Sequence, residues 1–211
     1  MSDNDLSQAA EALSQLSEVS RAVFLALEHG VEAALGMRAD RDRDPWFFSH
    51  VVRRFALDHL EDYQTGHPGV FEVETLPGTG ISMKAMTYHL RIFKKSGPGE
   101  EEFLRPTGHS KGRQAFYSQQ IPIDWGSTWQ PQPGQALNLV FAWEQSGGST
   151  YLWLVCPDGF DGIWSPGECR WSIPVPHPAT DMVVEYSEDN DDLLPLQLDE
   201  TGSEDPEPDA V

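Results

Sequence analysis

The stretch Leu137-Asn138-Leu139-Val140-Phe141-Ala142-Trp143-Glu144-Gln145-Ser146-Gly147-Gly148-Ser149-Thr150-Tyr151-Leu152-Trp153-Leu154-Val155 decides the fold class. Leu137, Leu139, Phe141 and Trp143 alternate with Asn138, Val140, Ala142 and Glu144, the two-residue period of a strand. Tyr151, Trp153 and Val155 repeat the pattern, and the Gly- and Ser-rich link from Glu144 to Ser149 is short enough to make the two runs a hairpin. Upstream, Met86, Tyr88, Leu90 and Ile92 alternate with Thr87, His89, Arg91 and Phe93, while Phe71, Val73 and Thr75 alternate with Glu72 and Glu74. Downstream, Trp171, Ile173 and Val175 form a further set, reached through a longer loop from Asp158 to Gly167.

Before Gly69 the period is 3.6. Leu6, Ala9, Leu13, Leu16, Val19, Val23 and Leu27 recur every three or four positions, which predicts a helix over 6–37, kinked or ended at Gly30 and Gly36. The sign-alternating run from Arg38 to Asp44 reads as a solvated connection. Asp44 and Pro45 then supply an N-cap and a first helical residue for a second helix running to about Tyr63. That helix carries Phe48, Val51, Val52, Phe55 and Ala56 on one face and His50, Arg54 and Glu61 on the other. No helix-length segment, βαβ alternation or internal repeat is legible after Tyr63. The expected fold is α+β, with two or three N-terminal helices followed by an antiparallel sheet of about five to seven strands. Three regions are expected: helical 1–66, β-rich 67–180, and an acidic, mostly disordered tail over 181–211.

The chain has 211 residues, of which 39% are hydrophobic and 23% charged, which excludes a wholly disordered, collagen-like or disulfide-scaffold protein. Its 34 Asp and Glu against 14 Lys and Arg give a net charge of −20. Such a molecule is repelled by nucleic acid and anionic lipid unless its positive charge is gathered locally. No apolar run approaches the roughly 20 residues that span a bilayer, and Met1 to Asp5 is acidic where a secretory signal is basic. Two cysteines without an export signal point to the cytosol with both thiols reduced. From Asp181 onward there are 12 acidic residues and no Lys or Arg. The leucines at 193, 194, 196 and 198 interrupt that tail, which reads as a solubilising segment or as a docking motif.

Positive charge is clustered instead in the middle of the chain: seven of the 14 cations lie between Lys84 and Arg113. His89 and Arg91 fall on the strand face opposite Tyr88, Leu90 and Ile92, with Lys94 near its end. A polar loop from Ser96 to Gly112 adds Arg105, His109 and Lys111, and the next expected strand adds Arg113, Gln114, Tyr117 and Gln119. Guanidinium forks, amides and a hydroxyl suit a phosphate or carboxylate, with Gly108 and Gly112 letting backbone amides approach. The candidate anion-binding set is therefore His89, Arg91, Lys94, Arg105, His109, Lys111, Arg113, Gln114 and Tyr117. A plainer reading is a solvated sheet face balanced by Glu100, Glu101 and Glu102. Phe93, Phe116 and Tyr117 would serve nucleic acid as stacking platforms, against which the net charge argues.

Other chemistry has less support. His50, His59 and His67 match no standard ligand spacing and HExxH is absent. His59 reads as a buried histidine bonded to the sheet, and Cys156 and Cys169 as small packed residues flanking a hairpin loop. Pro77 to Lys84 fails the phosphate-loop spacing, and no GxSxG elbow is present. Glu72, Glu74, Asp124 and Glu144 form no marked pair. No metal and no cofactor are expected. Trp125, Trp129, Trp164 and Trp171, in or beside loops, read as an interaction surface or as caps on the sheet core.

The segments Tyr88-His89-Leu90-Arg91-Ile92-Phe93-Lys94, Arg113-Gln114-Ala115-Phe116-Tyr117-Ser118-Gln119-Gln120 and Leu137 to Glu144 resemble a group of actinobacterial proteins of uncharacterised function, over roughly residues 85–177. Ten Arg against four Lys fits a GC-rich genome of that kind. The resemblance implies no activity, but it groups Arg91, Lys94, Arg113, Gln114 and Tyr117. The leading expectation is a cytoplasmic binding or regulatory protein whose basic sheet surface meets an anionic small molecule or nucleic acid, with a protein as a further partner and no membrane. One alternative is a metal-dependent phosphodiesterase or nuclease, with His89 or His109 as acid/base and Glu72, Glu74 or Glu144 on metal. Another is a regulator of antitoxin or inhibitor type acting through its acidic tail.

Overall fold

Helix α1 (Asp3–Gln15) starts on a capping box, in which the Ser2 hydroxyl accepts from the Asp5 amide and the Asp5 carboxylate accepts from the Ser2 amide. At Leu16 the backbone moves to φ −95° and ψ 16°, and α2 (Ser17–Gly36) follows at once. The expected helix over 6–37 is therefore two helices, broken at Leu16 and not at Gly30. Gly30 has a different role. A Cβ there would lie 2.3 Å from the Val52 carbonyl oxygen, so glycine lets α2 touch the backbone of α3 (Pro45–Gly66). Asp44 caps α3 by accepting from the Phe47 amide at 2.9 Å, with Pro45 in its first turn.

This computed structural model describes residues 2–39, 42–76, 80–95, 102–119 and 137–178. The tail over 181–211 with its leucines, and Glu100, Glu101, Asp124, Trp125 and Trp129, lie outside the described residues. Among the described residues, β1 (Glu72–Leu76), β2 (Gly80–Ala85), β3 (Tyr88–Lys94), β4 (Leu137–Ser146), β5 (Ser149–Phe160) and β6 (Gly167–Pro174) form one sheet in sequential order. Gly80 to Ala85, considered above only as a phosphate loop, is a strand: Ile81, Met83 and Ala85 are buried and alternate with half-buried neighbours. The β4/β5 hairpin turns on Gly147 and Gly148 at φ 58° and 85°, the positive pair that a two-residue turn requires.

One pairing departs from the antiparallel expectation. β3 and β4 run parallel, with Tyr88 opposite Leu137 and Lys94 opposite Trp143. A parallel pair needs a long crossover, and the chain between these strands carries a helix, α4 (Lys111–Tyr117). The segment read as a strand at Arg113 to Tyr117 is that helix. Ser110 caps it by accepting from the Arg113 amide at 3.3 Å, and Phe116 and Tyr117 bury one side.

The main core lies between α1–α3 and one sheet face, so the helical and β-rich regions share it. It gathers Leu27, Phe48 and Leu60 with Leu90, Phe141, Leu154 and Trp171. Trp171 donates from Nε1 to Gln8 Oε1 at 2.9 Å, tying α1 to β6. A smaller core on the opposite face joins Phe103, Leu104, Phe116 and Tyr117 to Val140, Ala142 and Val155. β4 is thus covered on both faces, which is why its sequence is apolar almost throughout. His59 faces the α2 side and not the sheet: its ring lies 5.3 Å from that of His29. No helix among the described residues is long and apolar enough to cross a membrane.

Candidate functional site

The alternation of β3 sends Tyr88, Leu90 and Ile92 into the main core, leaving Arg91 and Phe93 for the face that carries α4. The end of β3, the last residue of β1, the first of β2, Arg53 of α3 and the 105–113 segment line a cleft of about 320 Å³. Its walls are Arg53, Arg91, Lys94, Arg105 and Arg113 with Leu76, Gly80, Phe93, Ser110 and Gly112. Four guanidinium groups and an ammonium converge there, with no carboxylate among the described lining residues. Arg53, Arg91, Arg105 and Arg113 make no ion pair with any described residue.

Each arginine is held in place by contacts that leave its charge unneutralised. Arg91 lies over the Phe116 ring at 4.4 Å from its centroid, and Arg113 over Phe93 at 5.6 Å. Arg113 donates from Nη1 to the Pro106 carbonyl at 2.8 Å, Arg105 from Nε to Lys94 O at 3.2 Å, and Arg53 from Nε to Ser49 O at 3.1 Å. Beside the Phe116 ring and the arginines, Arg91 Nε and the Tyr117 hydroxyl are buried and find no acceptor among the described residues. Tyr117 is 0% exposed.

The electrostatics follow from this crowding. Burial, and next the charge of Arg113, lowers the pKa of both Arg91 and Arg105; burial and then Arg105 does the same to Arg53. Burial pushes the Tyr117 phenol up to about 12, against the opposing pull of Arg113, Arg91 and Arg105. Guanidinium groups are cationic donors without an acceptor, so the cleft is a concentration of like charge.

The nine candidates separate by geometry. Arg91, Lys94, Arg105 and Arg113 line the cleft, and Tyr117 is buried close enough to feel three of the arginines. Gln114 does not line the cleft: its Nε2 donates to Gly108 O at 2.8 Å and holds the loop. Gln119 likewise spends its amide on backbone, donating to Asn138 O and Pro157 O, so it locks α4 to the sheet and is not on a strand. His89 is buried between Lys84 and Asn138 in the sheet register. His109 is exposed and packs edge-on against Trp164 at 5.4 Å, and Lys111 is exposed. The Gly108 amide donates to Ile163 O at 2.7 Å and is not open to an anion. The remaining cations of the island are neutralised, Lys84 by Glu74 at 3.2 Å and Lys95 by Glu144 at 3.5 Å.

Arg53 is the residue that sequence reasoning missed. It stands on α3 between Val52 and Arg54, and nothing in the helical period distinguishes it from its exposed neighbour, which pairs with Asp58 at 3.1 Å. Among the described residues no group of three or more His, Cys, Asp or Glu is arranged to hold a metal ion. Cys156 and Cys169 form no disulfide, and burial raises the Cys156 thiol to about 11. Comparison with protein-family models, curated proteins and solved structures finds no match for the chain.

Proposed function

We propose that this is a cytoplasmic binding protein whose arginine cleft takes a small anion with several negative oxygens, of the phosphate or pyrophosphate class. The observation that carries the reading is a cleft walled by four arginines without a carboxylate partner among the described residues, one of which, Arg91, keeps a buried Nε without an acceptor. A buried donor left unpaired costs about 1–3 kcal/mol, and crowded guanidinium groups add repulsion. A phosphoryl group answers both, because it brings acceptor oxygens and negative charge together and matches the guanidinium fork. The cleft volume falls at the lower end of small-molecule sites. Binding is favoured over catalysis because the described lining offers no imidazole or carboxylate within proton-transfer reach of a ligand.

Calorimetric titration of the full chain with inorganic pyrophosphate tests this. Arg91→Gln and Arg113→Gln are each expected to weaken binding at least about tenfold, the equivalent of one lost charge-assisted hydrogen bond. Lys111→Gln, outside the cleft, is expected to change affinity less than about twofold. Absence of binding, or a Lys111→Gln effect equal to the others, overturns the reading.

A further inference from the structure

Resting on the anion reading above, we propose that the ligand is a free nucleotide, its phosphates in the arginine cleft and its base on the indole of Trp164. Trp164 is 71% exposed, the highest value among the described large apolar side chains. An indole in that position loses hydrophobic stabilisation for as long as nothing covers it. Its placement links it to the cleft. Trp164 lies against Gly108, and its ring meets His109 edge-on with 5.4 Å between centroids. The next residue, Ser110, is cleft wall, followed by Gly112 and Arg113. The Gly108 amide bond to Ile163 O at 2.7 Å and the Leu104–Gly167 bridge fasten the two loops, so shelf and cleft belong to one framework.

A planar ring joined to a polyanion by a short flexible linker would use both features, and a nucleotide is such a molecule. Aromatic side chains stack any of the bases, and the arginine forks would take the phosphates without a glycine-rich loop, consistent with the missing phosphate-loop spacing. A nucleic-acid polymer fits less well: the cleft holds about 320 Å³ and the chain carries a charge of −20, which repels an extended polyanion.

Titrating the full chain with ADP and with inorganic pyrophosphate separates the two parts of the ligand. ADP is expected to bind about tenfold tighter than pyrophosphate, the gain of one stacked base. Trp164→Ala is expected to remove that difference while leaving pyrophosphate affinity unchanged, and Trp164→Phe to retain most of it. The exposure of Trp164 means that the fold does not depend on it, which equal melting temperatures of the three proteins would verify. Equal affinity for ADP and pyrophosphate in the parent overturns the nucleotide assignment and leaves the anion reading standing. So does loss of both affinities together in Trp164→Ala, or binding of a single-stranded oligonucleotide but not ADP. Failure of both small ligands to bind removes the anion reading and this inference with it.

Discussion

At the scale of single residues, Tyr117 shows how burial and charge oppose each other behind the cleft. Its hydroxyl is buried without an acceptor beside three arginines whose charges partly offset the burial that raises its pKa to about 12. Below pH 10 the phenol is protonated in both folded and unfolded chains. Between pH 10 and about 12 the unfolded chain releases the proton while the folded one keeps it, so stability falls as pH rises, by up to about 1.4 kcal/mol per pH unit. Tyr117→Phe is expected to remove that contribution. At pH 8 the variant is expected to match the parent or exceed it by about 1 kcal/mol, because an unpaired buried hydroxyl has gone. Urea unfolding of both proteins at pH 8 and pH 11 measures the two effects. A loss above about 2 kcal/mol at pH 8 would mean the hydroxyl has a partner in the folded state.

At the scale of elements, the layer of α2 and α3 depends on one close approach. Gly30 stands where a Cβ would come within 2.3 Å of the Val52 carbonyl oxygen, whereas a Cβ on Gly36, in the same helix, would meet nothing within 4 Å. Alanine gains up to about 1 kcal/mol over glycine in a helix. Gly36→Ala is therefore expected to be neutral or stabilising. Gly30→Ala is expected to cost at least about 2 kcal/mol, since α2 and α3 must move apart along a packed core. Thermal melts of the pair decide it, and equal melting temperatures would refute the argument. On the opposite face α4 is tied down by polar bonds: Asn138 Nδ2 donates to Phe116 O at 3.0 Å, and Gln119 Oε1 accepts from the Asn138 amide at 2.9 Å. Those bonds set the position of Phe116, and through its ring that of Arg91.

Over the whole molecule, charge acts in two opposed ways. A net charge of −20 makes the folded chain repel itself, while the cleft gathers four arginines that make no ion pair with a described residue. Added salt screens both. Raising NaCl from about 0.05 M to about 0.5 M shortens the Debye length severalfold. The melting temperature of the ligand-free protein is expected to rise over that range while pyrophosphate affinity falls about tenfold or more. Scanning calorimetry and binding titrations along one salt series read both. Affinity independent of salt would show that the ligand is not held by the arginine charges.

The sequence by itself determined the architectural class. A change from a 3.6- to a 2-residue period near Gly69 separates helices from strands, and every strand but β2 was legible from alternation, as was the basic segment from Lys84 to Arg113. These are local properties, since periodicity records which side of an element meets the core. Three features were settled only in the tertiary structure. The parallel β3/β4 pair and the seven-residue α4 depend on a crossover, and a helix so short has too few turns to show a period. Which cations remain unneutralised depends on register: β1/β2 pairing puts Glu74 diagonally across from Lys84, and a β4 carboxylate, Glu144, reaches Lys95, removing both from the island. The meeting of Arg53 with Arg91, Arg105 and Arg113 joins residues up to 60 positions apart, through the packing of α3 beside the sheet edge. Long-range geometry is what turns a basic stretch of chain into a cleft.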